Sequence, residues 1–156
     1  MNRIISWLAV VLWMAFIFYL SHQPAAVSNE MSKGVTEVII ETVEKTVPNH
    51  AAMSIDVDQW NRIVRKNAHF FAYFVLGLFV IHAMKVSWQR KNGWQNLALA
   101  LGFCILYAIL DEVHQLFVPG RGGQVKDVLI DAAGAAFGVI LYLLMQKGRM
   151  IFIKDR

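Results

Sequence analysis

The sequence is poor in the residue types that build disulfide-linked, metal-thiolate or highly charged soluble proteins. Its 156 residues include one cysteine, three prolines and 17% charged side chains. Cys104 lies between Phe103 and Ile105 in an apolar stretch, so neither a disulfide framework nor a thiolate metal site can be built, and we interpret it as a small core residue. The net charge of +4 comes from scattered basic residues without a continuous basic face, so we expect no nucleic-acid partner.

The sequence also lacks the short motifs of familiar hydrolases and nucleotide-binding proteins. It contains no H-E-x-x-H, no P-loop and no G-x-S-x-G. The serines are expected to lie away from the polar side chains described below, which argues against a serine nucleophile: Ser6, Ser21, Ser28, Ser32, Ser54 and Ser87.

Apolar residues, in contrast, make up 57% of the chain and cluster in four runs. These runs predict membrane spans at about residues 4–20, 68–84, 97–113 and 127–145. The first run exceeds the usual apolar core of a signal peptide and only Arg3 charges its start, so we expect a retained span. The sequence therefore predicts one all-α, polytopic membrane domain over residues 1–156, built as a four-helix bundle.

Two connections between the runs carry patterns of their own. In the outer segment, residues 21–66, apolar side chains share one helical face and predict an amphipathic helix that is ended by Pro48 and either lies on the outer membrane surface or packs on the bundle. Between the third and fourth spans, Pro119, Gly120, Gly122 and Gly123 exclude a continuous helix and predict a turn or a re-entrant loop.

The distribution of basic residues favours both termini on the cytoplasmic side. With that orientation, the compact inner loops and tail carry eight of the 15 basic residues: Arg3, Lys85, Arg90, Lys91, Lys147, Arg149, Lys154 and Arg156. The other seven are mixed with acidic residues in the outer segment and loop. Acidic residues contribute little to the positive-inside rule, so the density of the inner basic residues decides the orientation.

Polar residues recur at helical spacing on three of the spans. The second span and its lead-in carry Arg62, Lys66, His69, Tyr73 and Gly77 at steps of three or four residues, which places them on one face. The third and fourth spans repeat this pattern with Tyr107, Asp111, His114, Asp127, Asp131, Gly134 and Gly138. Because hydrocarbon cannot host such groups cheaply, we expect an outward-facing polar chamber below Arg121 that contains His69, Tyr73, Asp111, Glu112, Gln115, Asp127 and Asp131.

Three segments resemble the VanZ-like family of bacterial membrane proteins: R-K-N-A-H-F-F-A-Y-F-V-L-G at 65–77, D-E-V-H-Q-L-F-V-P-G-R at 111–121 and K-D-V-L-I-D-A-A-G-A-A-F-G at 126–138. The family is named after a protein linked to resistance to teicoplanin, a glycopeptide that attacks peptidoglycan precursors outside the membrane. The resemblance implies a bacterial cytoplasmic membrane protein but no settled molecular activity. Its pattern carries over at Lys66, His69, Tyr73, Asp111, Glu112, His114, Gln115, Pro119, Gly120, Arg121, Asp127, Gly134 and Gly138. Asp131 stands where the family usually has Asn and adds a carboxylate.

The first functional hypothesis is binding. Arg121 on its Gly-rich loop offers a planar fork for the phosphate or carboxylate of an anionic envelope lipid or lipoglycopeptide, and such binding would contribute to teicoplanin resistance. Membrane lipids are the other expected partners. The predicted ligand-binding residues are Lys66, His69, Tyr73, Glu112, His114, Gln115, Arg121 and Asp127. The alternative for Arg121 is a structural pair with Glu112 or Asp127 that pins the loop.

The second hypothesis is a membrane-embedded hydrolase or transferase, with or without a metal ion, that acts on a lipid-linked phosphate. Its candidate catalytic residues are His69, Asp111, Glu112, Asp127 and Asp131, whose types suit acid–base chemistry or a divalent cation, although their spacing identifies no cofactor. A third hypothesis makes the polar groups purely structural. Interhelical hydrogen bonds in membranes average about 0.6 kcal/mol, which is little for so many charged groups.

Overall fold

The computed structural model describes residues 2–46, 57–88 and 93–154, and within these ranges the chain is helical with no strand. Pro48, the predicted end of the outer helix, and the predicted inner charges Arg90, Lys91 and Arg156 lie outside the described residues. The five helices are α1 (Arg3–His22), α2 (Ala25–Thr46), α3 (Val57–Ser87), α4 (Gly93–Gln115) and α5 (Val125–Lys154).

Four of these helices are long and apolar enough to cross a membrane: α1, α3, α4 and residues 125–148 of α5. The prediction of an all-helical protein with four spans is therefore confirmed. The helices are longer than the apolar runs that predicted them, and α3 begins at Val57 rather than near residue 68. The difference arises because hydropathy marks the hydrocarbon-crossing part, whereas the polar lead-in with Arg62 and Lys66 continues the same helix.

The bundle is built around α3, which packs along α5 and also contacts α1, α2 and α4. Its buried side chains Tyr73, Leu76 and Val80 meet small residues on the neighbouring spans: Ala100, Cys104 and Ala108 of α4 and Ala135 of α5. Small residues let helices approach closely, which is how membrane helices gain packing energy without a hydrophobic driving force. Cys104 is the buried core residue that the sequence predicted.

Glycines set the distance between α3 and α5. A Cβ atom at Gly134 would collide with the backbone carbonyl of Phe70, and one at Gly138 would collide with that of Phe74. On the facing helix, a Cβ at Gly77 would collide with the carbonyl of Ala135. The G-x-x-x-G pattern thus lies at a close backbone contact between α3 and α5, directly beneath the polar residues of α5.

The outer segment contains α2, which lies against the polar end of α3. Thr36 of α2 is buried and its Oγ1 lies 3.4 Å from Asn61 Oδ1, whereas Met31, Val35 and Val38 are exposed. The membrane contact of these exposed apolar residues stays a prediction. Between α4 and α5, residues 116–120 form turns and a bend, and residues 121–124 have no regular structure. The backbone N–H of Ala25 donates to the carbonyl of Pro119 at 3.2 Å. Whether this loop re-enters the membrane likewise stays a prediction.

The start of α1, the end of α3 and the later part of α5 lie at the same end of the bundle. Trp7 Nε1 donates to Ser87 Oγ at 2.9 Å, and Lys85 donates to the side chain of Gln146. The loop between α4 and α5 lies at the opposite end, where the polar residues collect. The described parts of both terminal helices therefore leave the bundle on one side, in agreement with the predicted topology, while the cytoplasmic assignment of that side stays a prediction.

Candidate binding site at the polar end of the bundle

Three spans bring an ionisable side chain to one point inside the bundle. Possible ligand atoms of His69 on α3, Asp111 on α4 and Asp131 on α5 all lie within 4.8 Å of one another. His69 Nδ1 is 3.8 Å from Asp131 Oδ1. The helical spacing predicted this convergence, because each residue belongs to a polar face that cannot be turned toward lipid.

Asp111 is held in place by two hydrogen-bond donors. Ser21 Oγ of α1 donates to Asp111 Oδ2 at 2.7 Å, and Gln115 Nε2 donates to the same oxygen at 3.4 Å. The expectation that every serine lies away from the polar residues is therefore wrong for Ser21. The error has a simple cause: Ser21 directly follows the first apolar run, and sequence spacing within one helix does not reveal which residues face it from another.

Several polar atoms next to this point are buried without a hydrogen-bond partner among the described residues. Both carboxylate oxygens of Asp131 and the Oδ1 atom of Asp111 are in this state, as is the hydroxyl of Tyr73. Asp131 and Tyr73 are each 0% exposed. An unsatisfied buried donor or acceptor costs about 1–3 kcal/mol, and more when it is charged, so these atoms are candidates for binding a ligand.

Two other predicted acidic residues are already engaged. Lys66 Nζ lies 2.5 Å from Asp127 Oδ1, which ties α3 to the start of α5. The backbone N–H of Gln124 donates to Glu112 Oε2 at 2.8 Å, which ties the loop to α4. Among the buried carboxylate atoms of the described residues, Asp111 Oδ1 and both oxygens of Asp131 are the ones that have no hydrogen-bond partner.

Arg121 pins its loop, but not through the predicted carboxylates. Its Nε donates to the carbonyl of Gln23 at 2.9 Å and its Nη2 to the carbonyl of Leu20 at 3.1 Å. The predicted pairing with Glu112 or Asp127 is absent among the described contacts. Arg121 instead satisfies carbonyls at the end of α1, where a cation also interacts favourably with the helix dipole. Burial, and then the nearby charge of Arg65, lower the pKa of the Arg121 guanidinium from its usual value.

A second guanidinium, that of Arg65, reaches the same region from α3. Its Nη1 donates to Asn29 Oδ1 of α2 at 2.7 Å. Within the described ranges, neither Arg65 nor Arg121 forms a salt bridge, and each donates hydrogen bonds to neutral oxygens. The sequence offered no signal for Asn29, because it lies outside the three polar spans on a separate helix.

These groups surround a polar cavity of about 460 Å³. Its basic and amide lining residues are Gln59, Arg62, Arg65, Lys66, Gln115, Arg121 and Gln124. Its acidic or imidazole lining residues are His69, Glu112, Asp127 and Asp131. Of the predicted site residues, Asp111 and Tyr73 do not line this cavity and instead lie buried at or beside its floor.

His114 is the predicted site residue that the structure places elsewhere. Its Nε2 shares a 3.1 Å hydrogen bond with His22 Nδ1, and its ring packs against Phe18 with centroids 4.5 Å apart. It is not among the residues lining the cavity. The spacing from Asp111 to His114 is three residues, but Asp111 is buried and bonds to Ser21, whereas His114 is half-buried and contacts His22 and Phe18.

An apolar cavity of about 220 Å³ adjoins the polar one between α1, α2 and α3. Its apolar lining includes Ile17, Leu20, Met31, Val35 and Val64. Arg65, His69 and Arg121 line both cavities, so the two spaces share a wall of cationic and imidazole groups. The polar cavity and the apolar cavity therefore lie side by side at one end of the bundle.

These features define a multi-pass helical membrane protein with a polar cavity at one end. Comparison with protein-family models identifies the family: the VanZ/LLP1 model matches residues 6–146, and the chain belongs to this family. The resemblance in the three sequence segments is thereby confirmed. No curated protein and no solved structure matches the chain.

Proposed function

We propose that the protein binds an anionic amphiphile of the cell envelope, with its phosphate or carboxylate in the polar cavity and its hydrocarbon chain in the adjoining apolar cavity. One observation carries this proposal. Arg65 and Arg121 face a single cavity while their described hydrogen bonds go to neutral oxygens, so their positive charges are available to an anion. Burial, and then the charge of Arg65, lower the pKa of Arg121, and an anion bound between the two guanidinium groups would offset both effects.

The size and shape of the cavities favour a lipid over an antibiotic. A volume of about 460 Å³ accommodates a phosphorylated head group, and small-ligand pockets commonly span roughly 300–1,000 Å³. The heptapeptide core of a glycopeptide is considerably larger than this chamber. We therefore infer that any contribution to teicoplanin resistance proceeds through an envelope lipid, with the site facing outward from the cytoplasmic membrane and both termini inside.

The direct experiment is native mass spectrometry of the full chain with a polyprenyl phosphate and with the corresponding uncharged polyprenol. We expect the phosphate form alone to remain bound. Arg65→Gln and Arg121→Ala should each weaken its binding about tenfold or more, because a hydrogen bond to a charged group contributes about 1.5–3 kcal/mol. Arg121→Lys should fall between wild type and Arg121→Ala, since lysine keeps the charge but loses the planar fork.

Arg3→Gln is the matched control, because it removes a cation at the other end of the bundle. Equal binding of the phosphate and the alcohol, or wild-type affinity in both arginine variants, would refute the proposal. Teicoplanin itself serves as a separate ligand: tight binding of the antibiotic with no phosphate binding would replace the lipid by the glycopeptide. A cellular test compares teicoplanin tolerance in strains expressing wild type and Arg65→Gln at equal protein levels.

A second candidate function is an enzyme that hydrolyses or transfers a lipid-linked phosphate. The observation that favours it is the proximity of His69, Asp111 and Asp131 to the floor of the cationic cavity, where a bound phosphate would meet them. Glu112 and Asp127 are weaker catalytic candidates because the Gln124 N–H and Lys66 already engage them. Release of inorganic phosphate from the polyprenyl phosphate, lost in His69→Gln, would establish this activity; an unchanged lipid after prolonged incubation would exclude phosphate release.

A further inference from the structure

The deepest part of the polar end combines an imidazole, two carboxylates and several polar atoms that lack partners. We propose that His69, Asp111 and Asp131 form a binding site for one divalent transition-metal ion, such as Zn²⁺ or Mn²⁺, at the floor of the polar cavity.

The donor set fits such an ion in type and in number. Each of the three residues offers one ligand atom, and these atoms lie within 4.8 Å of one another. Imidazole nitrogen and carboxylate oxygen are common ligands of Zn²⁺ and Mn²⁺, and three protein ligands are what a zinc site with an open position uses. Ligand atoms of a tetrahedral site are about 3.4 Å apart at typical bond lengths, so modest side-chain rotations would close the three atoms around the ion.

A second observation, the hydrogen bonding of the buried polar atoms, supports a bound cation. Both oxygens of Asp131 are unpartnered among the described residues, and the residue is 0% exposed. Asp111 Oδ2 accepts hydrogen bonds from Ser21 and Gln115, whereas its Oδ1 atom has none. Hydrogen bonding on one oxygen fixes the carboxylate and leaves the other oxygen for a ligand, which is how metal-binding carboxylates are usually oriented.

Charge balance supports the same assignment. Two carboxylates buried together repel each other, and His69 Nδ1 lies 3.8 Å from Asp131 Oδ1, beyond a normal hydrogen bond. A divalent ion bound to two carboxylates and a neutral imidazole produces a centre with no net charge. Since His69 and Asp131 also line the polar cavity, the open side of the ion would face the space proposed for the anionic head group. The hydroxyl of Tyr73, one helical turn from His69, is likewise buried without a hydrogen-bond partner among the described residues.

The experiment uses the full chain purified in detergent, stripped with a chelator and then loaded with Zn²⁺, Mn²⁺ or Co²⁺ alone. We expect one ion per chain by elemental analysis, and for Co²⁺ a visible absorption band that reports coordination by the protein. Asp131→Asn and His69→Gln should abolish stoichiometric binding. Glu41→Gln, an exposed carboxylate on α2, and His82→Gln, a histidine hydrogen-bonded to Tyr142 at the other end of the bundle, should retain one ion.

Ser21→Ala provides a graded test that leaves all three ligands in place. Loss of the hydrogen bond to Asp111 Oδ2 should weaken the ion about 10-fold to 100-fold, as is usual for groups that orient a metal ligand. If Asp131→Asn does not fold, Ser21→Ala decides the question by itself. No stoichiometric ion in wild type, or wild-type affinity in Asp131→Asn or in Ser21→Ala, overturns the proposal. The ion is loaded and measured without lipid, so the two proposals are tested separately. A wild-type chain that binds polyprenyl phosphate but takes up no ion would refute the metal site and leave the proposed lipid binding intact.

Discussion

Ser21 Oγ of α1 donates a 2.7 Å hydrogen bond to Asp111 Oδ2 of α4, although 90 residues separate the two positions. Both side chains are buried. The contact connects the end of the first span to the carboxylate at the centre of the polar site. Helix α1 therefore contributes to the polar site, although the residues that form the polar faces lie on α3, α4 and α5.

Ser21→Ala should lower the free energy of unfolding by about 1–2 kcal/mol, because a buried carboxylate oxygen keeps only the longer hydrogen bond from Gln115. The measurement is denaturant unfolding in detergent micelles, followed by far-UV circular dichroism. Ser6→Ala is the matched control on the same helix, since Ser6 is also buried but its hydroxyl bonds only to the backbone of Asn2 at 3.3 Å. Equal losses in the two variants would show that the contact between α1 and α4 contributes nothing specific.

Gly138→Ala should destabilise the bundle by about 1–3 kcal/mol, the usual cost of forcing extra methyl groups into a packed contact. The added Cβ would collide with the carbonyl of Phe74, and a backbone atom cannot rotate away as a side chain can. Gly102→Ala in α4 is the control, because nothing lies within 4 Å of its Cβ position. Unfolding curves of the two variants should differ clearly; a Gly138→Ala protein as stable as Gly102→Ala would refute close packing of α3 and α5 at this level.

Gly120→Ala should perturb the loop that carries Arg121. Gly120 has φ +74°, a conformation that costs other residues about 1–2 kcal/mol, and its Cβ would lie 3.1 Å from the Cβ of Ala25. We expect a lower midpoint of thermal unfolding and weaker binding of a polyprenyl phosphate, because Arg121 would leave the carbonyls of Leu20 and Gln23. Gly122→Ala, with open space at its Cβ, should match wild type in thermal stability. Indistinguishable variants would mean that the left-handed turn does not position Arg121.

Much of the fold was predictable because hydrocarbon imposes a strict rule on sequence. Spans must be apolar for most of their length, and ionisable residues within them must face inward, so His69, Asp111 and Asp131 could be placed together from their spacing alone. The G-x-x-x-G contact was predictable for a similar reason. In each case the spacing that predicted a residue's orientation could be read within that residue's own helix.

The contacts that the sequence did not predict each need two helices or a loop. Ser21 is a single polar residue after an apolar run, and Asn29 lies on α2 with no polar periodicity around it. The structural alternative for Arg121 was a pair with a carboxylate, because opposite charges attract, yet its guanidinium donates to carbonyls at the end of α1. His114 follows the helical pattern but lies near the end of α4. Its ring is hydrogen-bonded to His22 and does not line the polar cavity.

Substituting Lys66 or Asp127, which form an ion pair, should change the affinity for a polyprenyl phosphate in opposite directions. Asp127 neutralises Lys66 at 2.5 Å, and both residues line the polar cavity. Asp127→Asn removes a negative charge and releases the ammonium group, so binding of a polyprenyl phosphate should strengthen. Both side chains are partly exposed, which limits the gain to about twofold to fivefold, the range of ordinary solvent-screened ion pairs. Lys66→Met should weaken binding, because it leaves Asp127 to repel the phosphate.

The measurement is titration of the phosphate lipid at low and at high salt, since screening should reduce both effects. Glu41→Gln removes an exposed carboxylate that lies outside the cavity and should leave the affinity unchanged. If Asp127→Asn weakened binding as much as Lys66→Met, the pair would act as a structural link between α3 and α5. The net charge of the polar cavity would then not determine its affinity for an anion. Opposite changes would instead show that net positive charge in this cavity governs the affinity.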